Sequence, residues 1–457
     1  MRTVIPLTRR ATVTAGISAV LIAVAAAPAL AADTGRQSAA GPSAPAVTAT
    51  DNLFGVAAAS RSSAWAVGTY RAGSAKRNLI EHWNGRSWTV VASPSPGGSH
   101  GGFLLAVAAV SPSSAWAVGG YSNGSEEKTL IERWNGRSWK QVPSPSPGGT
   151  HGGFLEAVAA VSPSSAWAVG GYSNGSEQKA LIERFNGRSW KQVPSPSPGG
   201  THDSYLFGVT ALSSSNAWAV GGYVNGTVEQ TLIEHWNGRS WKRVASPNPG
   251  GAARVNDLES VTAISPSNAF AVGYYDVNGT SVARTLVEHW NGRAWKQQAS
   301  PSPNGGGFNG FGAVAAVSSS SAWATGSYST GVTDTLLLEH WNGKSWQRAA
   351  AQNPTSTGDF SDLAAVAAVS RSCAWIDGDY FNGGPAKTLI EHWNGKAWKQ
   401  QASPSPGGTA GSYLHAVAAI STANAWAVGD YLSGPSSLTL IEHWNGKVWR
   451  HIPSPNR

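Results

Sequence analysis

The sequence predicts an all-β fold, an eight-bladed β-propeller of four-stranded antiparallel blades, preceded by a signal peptide and a short disordered linker. Three observations carry this. One unit recurs eight times: the aromatic of "AWAVG" falls at Trp65, Trp116, Trp167, Trp218, Phe270, Trp323, Trp375 and Trp426, at spacings of 51, 51, 51, 52, 53, 52 and 51. Each unit holds four short apolar runs divided by Gly, Pro, Asn and Ser, and few segments show a helical period. Four strands alone cannot bury both faces of a sheet, so the units must stack, and four-stranded units of roughly 50 residues are the unit of a propeller.

Residues 1–31 read as a signal peptide. Arg2, Arg9 and Arg10 precede the apolar run "ATVTAGISAVLIAVAAAPALA", which ends in the small-x-small site Ala29-Leu30-Ala31. The arginine pair faintly resembles a twin-arginine signal, but the residues after it fit general secretion. Residues 32–51, rich in Ala, Ser, Pro and Thr, form the linker. The propeller takes 52–457, with blades at about 52–102, 103–153, 154–204, 205–256, 257–309, 310–361, 362–412 and 413–457. No second long apolar run follows, so no membrane insertion is expected.

Within the second unit, "FLLAVAAVS" is a first strand, "SPSS" a turn, "AWAVGGY" a second strand and "SNGSEEK" a loop. "TLIERW", "NG" and "RSWKQVPS" make a hairpin. In the first unit that hairpin is Glu81, Trp83, Asn84, Gly85, Arg86 and Trp88. Asn-Gly suits a two-residue type I′ turn, which sets Trp83 opposite Arg86 and Glu81 opposite Trp88. Glu81 and Arg86 then become diagonal neighbours able to pair. Glu stands at this place in all eight units. The next position is His in six and Arg in two, Arg133 and Arg184. Arg neither ligates a metal nor acts as a base near neutrality, so the shared role is that of a flat polar head. A feature present eight times is architecture before it is a catalytic site.

Three aromatic positions per unit account for all 22 tryptophans, with Phe185 and Phe270 at the other two places. Each such ring buries ~150–250 Å². Aromatic packing between blades therefore stands in for disulfides, which a single cysteine, Cys373, cannot form. Cys373 reads as a small buried residue, since other units place Ser or Asn there. The formal charge of +8 falls to +5 without the three leader arginines, and the positive residues are spread evenly. That distribution describes a solvated surface and does not suit nucleic acid.

The order "AWAVGGY…LIERWNGRSW" resembles kelch repeats over residues 52–457. The glycine pair is complete in three units (Gly119-Gly120, Gly170-Gly171, Gly221-Gly222), and Trp83 stands where kelch tends to have Tyr. The chain also resembles tandem-repeat propeller proteins secreted by actinobacteria, and "HWNG.SW" is similar to hairpins of sugar-binding propeller lectins. The kelch order implies that the first strand of each unit lines a central channel. The loops after strands two and four then share one rim.

The channel strands are apolar and small except for Glu156, Glu259 and His415, which stand in different units and form no evident acid/base pair. No Gly-x-Ser-x-Gly, His-Glu-x-x-His or cysteine metal pattern occurs. Candidate binding residues lie on the rim. His100, His151 and His202 occupy matching loops of adjacent units, as a ligand or weak metal site or as solvated loop histidines. A tyrosine ends the second strand of every unit; Tyr121, Tyr172 and Tyr223 are the candidates, for ligand contact or for packing at the blade edge. Asp377 replaces Val in "AWIDGDY", and with Asp379 could bind a cation; a satisfied ion pair is the preferred reading. The expectation is a secreted bacterial scaffold for binding or protein interaction, monomeric, non-catalytic, with no cofactor and no metal. Its partner is expected to be a protein or an extracellular polysaccharide. The alternatives are a multivalent carbohydrate-binding lectin-like propeller and a polysaccharide lyase or hydrolase built on a propeller.

Overall fold

A computed structural model describes residues 49–457 except 201, 252–254, 278–281, 304–305, 330–332, 353 and 355–359. The expected signal peptide and most of the expected linker lie outside the described residues. The chain forms eight four-stranded antiparallel sheets, each from one consecutive stretch. In the first blade, β1 (Asn52–Ser60), β2 (Ser63–Ala72), β3 (Ala75–Trp83) and β4 (Trp88–Val90) pair in order. The others span 102–142, 153–192, 204–244, 256–297, 309–348, 361–400 and 412–451. Each blade's first strand packs against the first strands of both neighbours, and β1 contacts Gly102–Ser111 on one side and Ser412–Ser421 on the other, so the strands close a ring around a channel.

The ring closes without a shared strand. Ser412 N donates to Ala386 O (3.0 Å) where blade 8 follows blade 7, and Asp51 N donates to Ser437 O (2.9 Å) where blade 1 meets blade 8. The closing seam therefore repeats the geometry of the others.

Every seam is an aromatic interlock. Trp65 on β2 meets Trp134 and Trp139 of blade 2 at 4.7 and 5.0 Å, the second edge-on at 90°. Trp426 meets Trp83 and Trp88 of blade 1 in the same way, at 4.9 and 5.1 Å. His82 stacks on Trp65 at 3.9 Å. Where Arg replaces His, its guanidinium lies over the same ring, Arg133 on Trp116 at 5.0 Å and Arg184 on Trp167 at 4.9 Å. Planarity, not basicity, is what this position selects. Burial lowers the His82 pKa, so its imidazole stays neutral.

The hairpin departs from the expected register. Trp83 pairs with Trp88, His82 with Thr89 and Glu81 with Val90. Asn84, Gly85, Arg86 and Ser87 form a four-residue loop instead of a two-residue turn. The Asn84 side chain explains it: its Oδ1 accepts from the amides of Arg86 (2.9 Å) and Ser87 (3.1 Å), an Asx-type closure that holds two more residues in the loop. Gly85 takes φ 93°, and a Cβ there would press on Ser62. Arg86 is left exposed in the loop, so the expected Glu81–Arg86 pair does not form.

The repeated Glu is instead fully buried and accepts from the blade before it. Ser144 Oγ reaches Glu183 (3.0 Å), Ser195 reaches Glu234 (2.7 Å) and Ser403 reaches Glu442 (2.9 Å). Ser454 reaches Glu81 across the closing seam. Seven of the eight seams carry this latch. In the eighth, Ala351 stands in the serine's place, and neither oxygen of Glu391 has a hydrogen bond of ordinary geometry among the described residues, the Gln352 amide only moderating its raised pKa. Burial raises these carboxyls, Glu183 to about 8 and Glu81 to about 7, so protonation persists toward neutrality, further for the first than for the second.

One glycine of each "AWAVG" is obligatory. The first strand of every blade carries a bulge, as between Leu104 and Ala106, that presses its backbone onto the second strand, and a Cβ at Gly119 would overlap the Phe103 carbonyl. The next position has no such constraint. It is Gly120 in blade 2 but Asp379 and Asp430 in blades 7 and 8.

Candidate functional site at the channel mouth

The bulge residues are Phe54, Leu105, Glu156, Phe207, Glu259, Gly312, Ala364 and His415, one per blade. Glu156, Glu259 and His415 thus occupy one equivalent position in blades 3, 5 and 8, distributed around the channel and not gathered into a pair. The partner of His415 is a residue the sequence reading passed over: His415 Nε2 lies 2.8 Å from Asp430 Oδ1. Ser437 Oγ, with one proton to give, lies within hydrogen-bond distance of both Asp430 Oδ2 (2.8 Å) and Asn52 Oδ1 (2.9 Å), placing the carboxylate between blades 8 and 1. The Phe54 ring stands 6.2 Å from the imidazole.

Tyr413 pairs directly with Asp430, and Asp362 with Asp379 in blade 7. The field of Asp379 across the seam and that of Asp430 in the same blade, after burial, help raise the Tyr413 pKa, so it remains a neutral phenol. Burial raises Asp379 well above the carboxylate range, and the nearby charges of Asp362, Asp430 and Asp377 push it further. Asp362 rises to about 6 for the same leading reason. The blade 7–8 mouth therefore juxtaposes an imidazole held by a carboxylate, a phenol and carboxyls able to hold a proton. These are the parts of general acid–base catalysis.

Asp377 lies behind Asp379 on the same face of its strand. It is 0% exposed. The expected ion pair is absent: neither oxygen has a hydrogen bond of ordinary geometry among the described residues. The Ala365 and Asp377 amides only moderate a pKa that burial raises well above the ordinary value. Among the described residues no group of three His, Cys, Asp or Glu has the arrangement of a metal site.

The rim candidates lie elsewhere. The His100 ring packs over Gly124 and the His151 ring over Gly175, each against the loop of its own following blade; His202 follows the same loop course, its amide donating to Gly199 O. Tyr121, Tyr172 and Tyr223 turn into the seams, Tyr223 to 3% exposure with its hydroxyl on Gln230 (2.5 Å). A groove of about 580 Å³ opens on blade 7, lined by Gln352, Tyr380, Lys387, Gln400 and Gln401 among others, away from the channel strands.

No protein-family model matches the chain, and no curated protein matches it. Among solved structures it is similar to a polysaccharide lyase, an ulvan lyase, at 10% identity over 77% of this chain and 96% of that one, TM-score 0.48. It is also similar to a microbial sialidase, Hz136, at 10% identity over 67% and 71%, TM-score 0.37. A third is a xyloglucanase from Xanthomonas campestris, at 14% identity over 89% and 74%, TM-score 0.30. At these identities the likeness speaks for the propeller fold alone. The expectation of a chain without catalysis is nonetheless withdrawn: an ulvan lyase, a sialidase and a xyloglucanase stand among the similar structures, together with a tricorn protease, so this fold gives no ground for excluding an enzyme. That expectation rested on the channel strands offering no evident acid/base pair, and it weighed only residues of the first strands; Asp430 stands on the second strand of blade 8.

Proposed function

We propose that the protein is a secreted enzyme that cleaves glycosidic bonds of an extracellular polysaccharide, bound across the channel mouth at blades 7, 8 and 1. The observation that carries this is the His415–Asp430 pair, which no other blade repeats among the described residues. A carboxylate on Nε2 holds that nitrogen's proton and leaves Nδ1 as the basic one. His415 is then the general base, oriented by Asp430. Asp379, kept protonated, supplies the proton to the leaving oxygen, and the neutral Tyr413 donates a hydrogen bond to the sugar. The half-buried Phe54, Phe103, Phe154 and Phe207 on blades 1–4 offer the flat apolar faces on which pyranose rings stack.

The test is incubation with a panel of neutral, uronate and amino-sugar polysaccharides, read by new reducing ends, beside His415→Ala. Cleavage by the wild type and its loss in the variant is the expected result. No new ends with any polymer would remove the proposal.

A further inference from the structure

Blade 6 leaves its fourth strand differently from the other seven. Where they continue with Ser-Pro, as at Ser93-Pro94 and Ser403-Pro404, blade 6 has Ala351-Gln352. Beside this break lies the groove of about 580 Å³, with Tyr380, Lys387, Gln400 and Gln352 in its wall. Comparison with the sister blades shows which of these groups are uncommitted. The Tyr223 ring lies under the Arg243 guanidinium at 4.6 Å and the Tyr328 ring under Arg348 at 5.0 Å. At Tyr380 the equivalent residue is Gln400, and among the described residues no guanidinium or aromatic ring covers that tyrosine and no hydrogen bond holds its hydroxyl. Lys128 is held by Glu126 and by Gly149 O (2.9 Å), and Lys179 by Glu177 (3.5 Å). Pro385 stands in the place of that glutamate before Lys387, whose ammonium has no partner among the described residues. Gln352 Oε1 accepts from the Gln400 backbone amide (2.9 Å), which leaves the Gln352 amide nitrogen and the Gln400 side chain available to a ligand.

We propose that this groove is a second glycan site, separate from the channel mouth, and that it takes a uronate residue of a polysaccharide. A phenol face, two amide side chains and one uncompensated ammonium in an open polar groove match such a sugar group by group. The pyranose ring stacks on Tyr380, its hydroxyls bond the amides, and its carboxylate meets Lys387 in a charge-assisted contact. Glu391, directly across from Gln400 on the neighbouring strand, is fully buried, and burial raises its carboxyl to about 7, so below neutrality it sets little charge against the ligand. The site stands apart from the catalytic reading, since a chain held here binds whether or not the mouth cleaves it. With a working mouth it would tether the polymer and raise its effective concentration there.

The experiment measures retention by affinity electrophoresis at about pH 6, below the Glu391 pKa of about 7. The probes are polygalacturonate and its methyl ester, the same backbone without the charge. Polygalacturonate is expected to be retained and the ester much less, the difference shrinking as NaCl rises. Lys387→Gln should weaken retention of polygalacturonate roughly tenfold, the worth of one charge-assisted contact, and Lys387→Arg should keep it. Lys387 is exposed, so neither change threatens the fold. Lys447→Gln removes an equal charge from the exposed hairpin loop of blade 8 and should change little, which separates the groove from the general basicity of the chain. Equal retention of the ester, an equal loss in Lys447→Gln, unchanged retention in Lys387→Gln or no retention at all overturns the proposal. New reducing ends across the polysaccharide panel report on the mouth alone. Retention that depends on Lys387 with no polymer cleaved upholds the groove and overturns the catalytic reading; cleavage with retention unchanged in Lys387→Gln does the reverse.

Discussion

The seam between blades 2 and 3 and the seam between blades 7 and 8 share one outer half and differ in the inner. In the first, Trp116 packs on Phe185 and Trp190 at 4.6 and 5.1 Å, and Ser144 latches Glu183. In the second, Trp375 packs on Trp444 and Trp449 at 4.8 and 5.1 Å, and Ser403 latches Glu442. Toward the channel the correspondence ends. Val118, Gly120, Phe154 and Glu156 of the first seam are Asp377, Asp379, Tyr413 and His415 of the second. The outer half carries folding and departs little from its pattern, with Phe for Trp at 185 and 270, Arg for His at 133 and 184, and Ala351 for the latch serine. The inner end is spared that work, so residues there are free to carry chemistry.

The comparison is tested most severely at His415. His415→Ala should reduce cleavage by about 10²–10⁴-fold, the usual worth of a general base, with the melting temperature unchanged. Phe154→Ala, its neighbour position in a regular blade, should alter substrate affinity and leave the chemical step intact. A collapse in melting temperature for His415→Ala would mean that the inner end is structural after all. On the outer half, Trp116→Ala and Trp375→Ala should each cost about 3–5 kcal/mol of stability, measured by urea unfolding. Near equality is the point: a much smaller loss at Trp375 would show that the two outer halves are not the same device.

What could be read in advance divides along the same line. The eight units, four strands apiece and the aromatic count follow from the repeat itself, because packing between identical units forces identical residues. The hairpin register was misjudged at Asn84, where Asn-Gly suggested two loop residues and the Asn side chain closed a loop of four. Glu81 was assigned to Arg86, since cross-strand neighbours are all that one unit displays; its real partner, Ser454, lies in the adjoining blade. Asp430 and Tyr413 escaped notice for a different reason. Their signal was present as "GDY" in the last two units, at the place of the second glycine, but meaning came only when the ring put Asp430 beside His415. A motif scan searches along the chain, and this pair comes from two strands fifteen residues apart.

Asp377→Val would convert one feature of the second seam into its equivalent in the first. A buried carboxyl without a partner costs about 1–3 kcal/mol, so the substitution should raise stability by that order. The gain depends on pH. The folded-state pKa of Asp377 is raised above its unfolded value, so the folded protein holds this proton more tightly. Stability is then greatest below the ordinary aspartate range and falls as pH rises above it. Melting curves at pH 5 and pH 8, values on either side of neutrality chosen within the ordinary working range, should show the larger benefit of Asp377→Val at the higher pH. Equal benefit at both would mean that volume, not charge, is what the seam lacks.

The smallest effect concerns the latch. Ser144→Ala and Ser403→Ala each remove one hydrogen bond to a buried carboxyl, expected to cost about 1 kcal/mol in either seam. The blade 6–7 seam supplies the natural contrast, because Ala351 has already made this change and Glu391 stands without the bond. Ala351→Ser should therefore recover a similar amount. Glu391→Gln should relieve a carboxyl that burial raises to about 7, with most of its benefit above that pH. If Ala351→Ser gave nothing while Ser144→Ala still cost stability, the backbone after the sixth blade would have to run outside serine's reach of Glu391, and that seam would be closed by a different contact from the other seven.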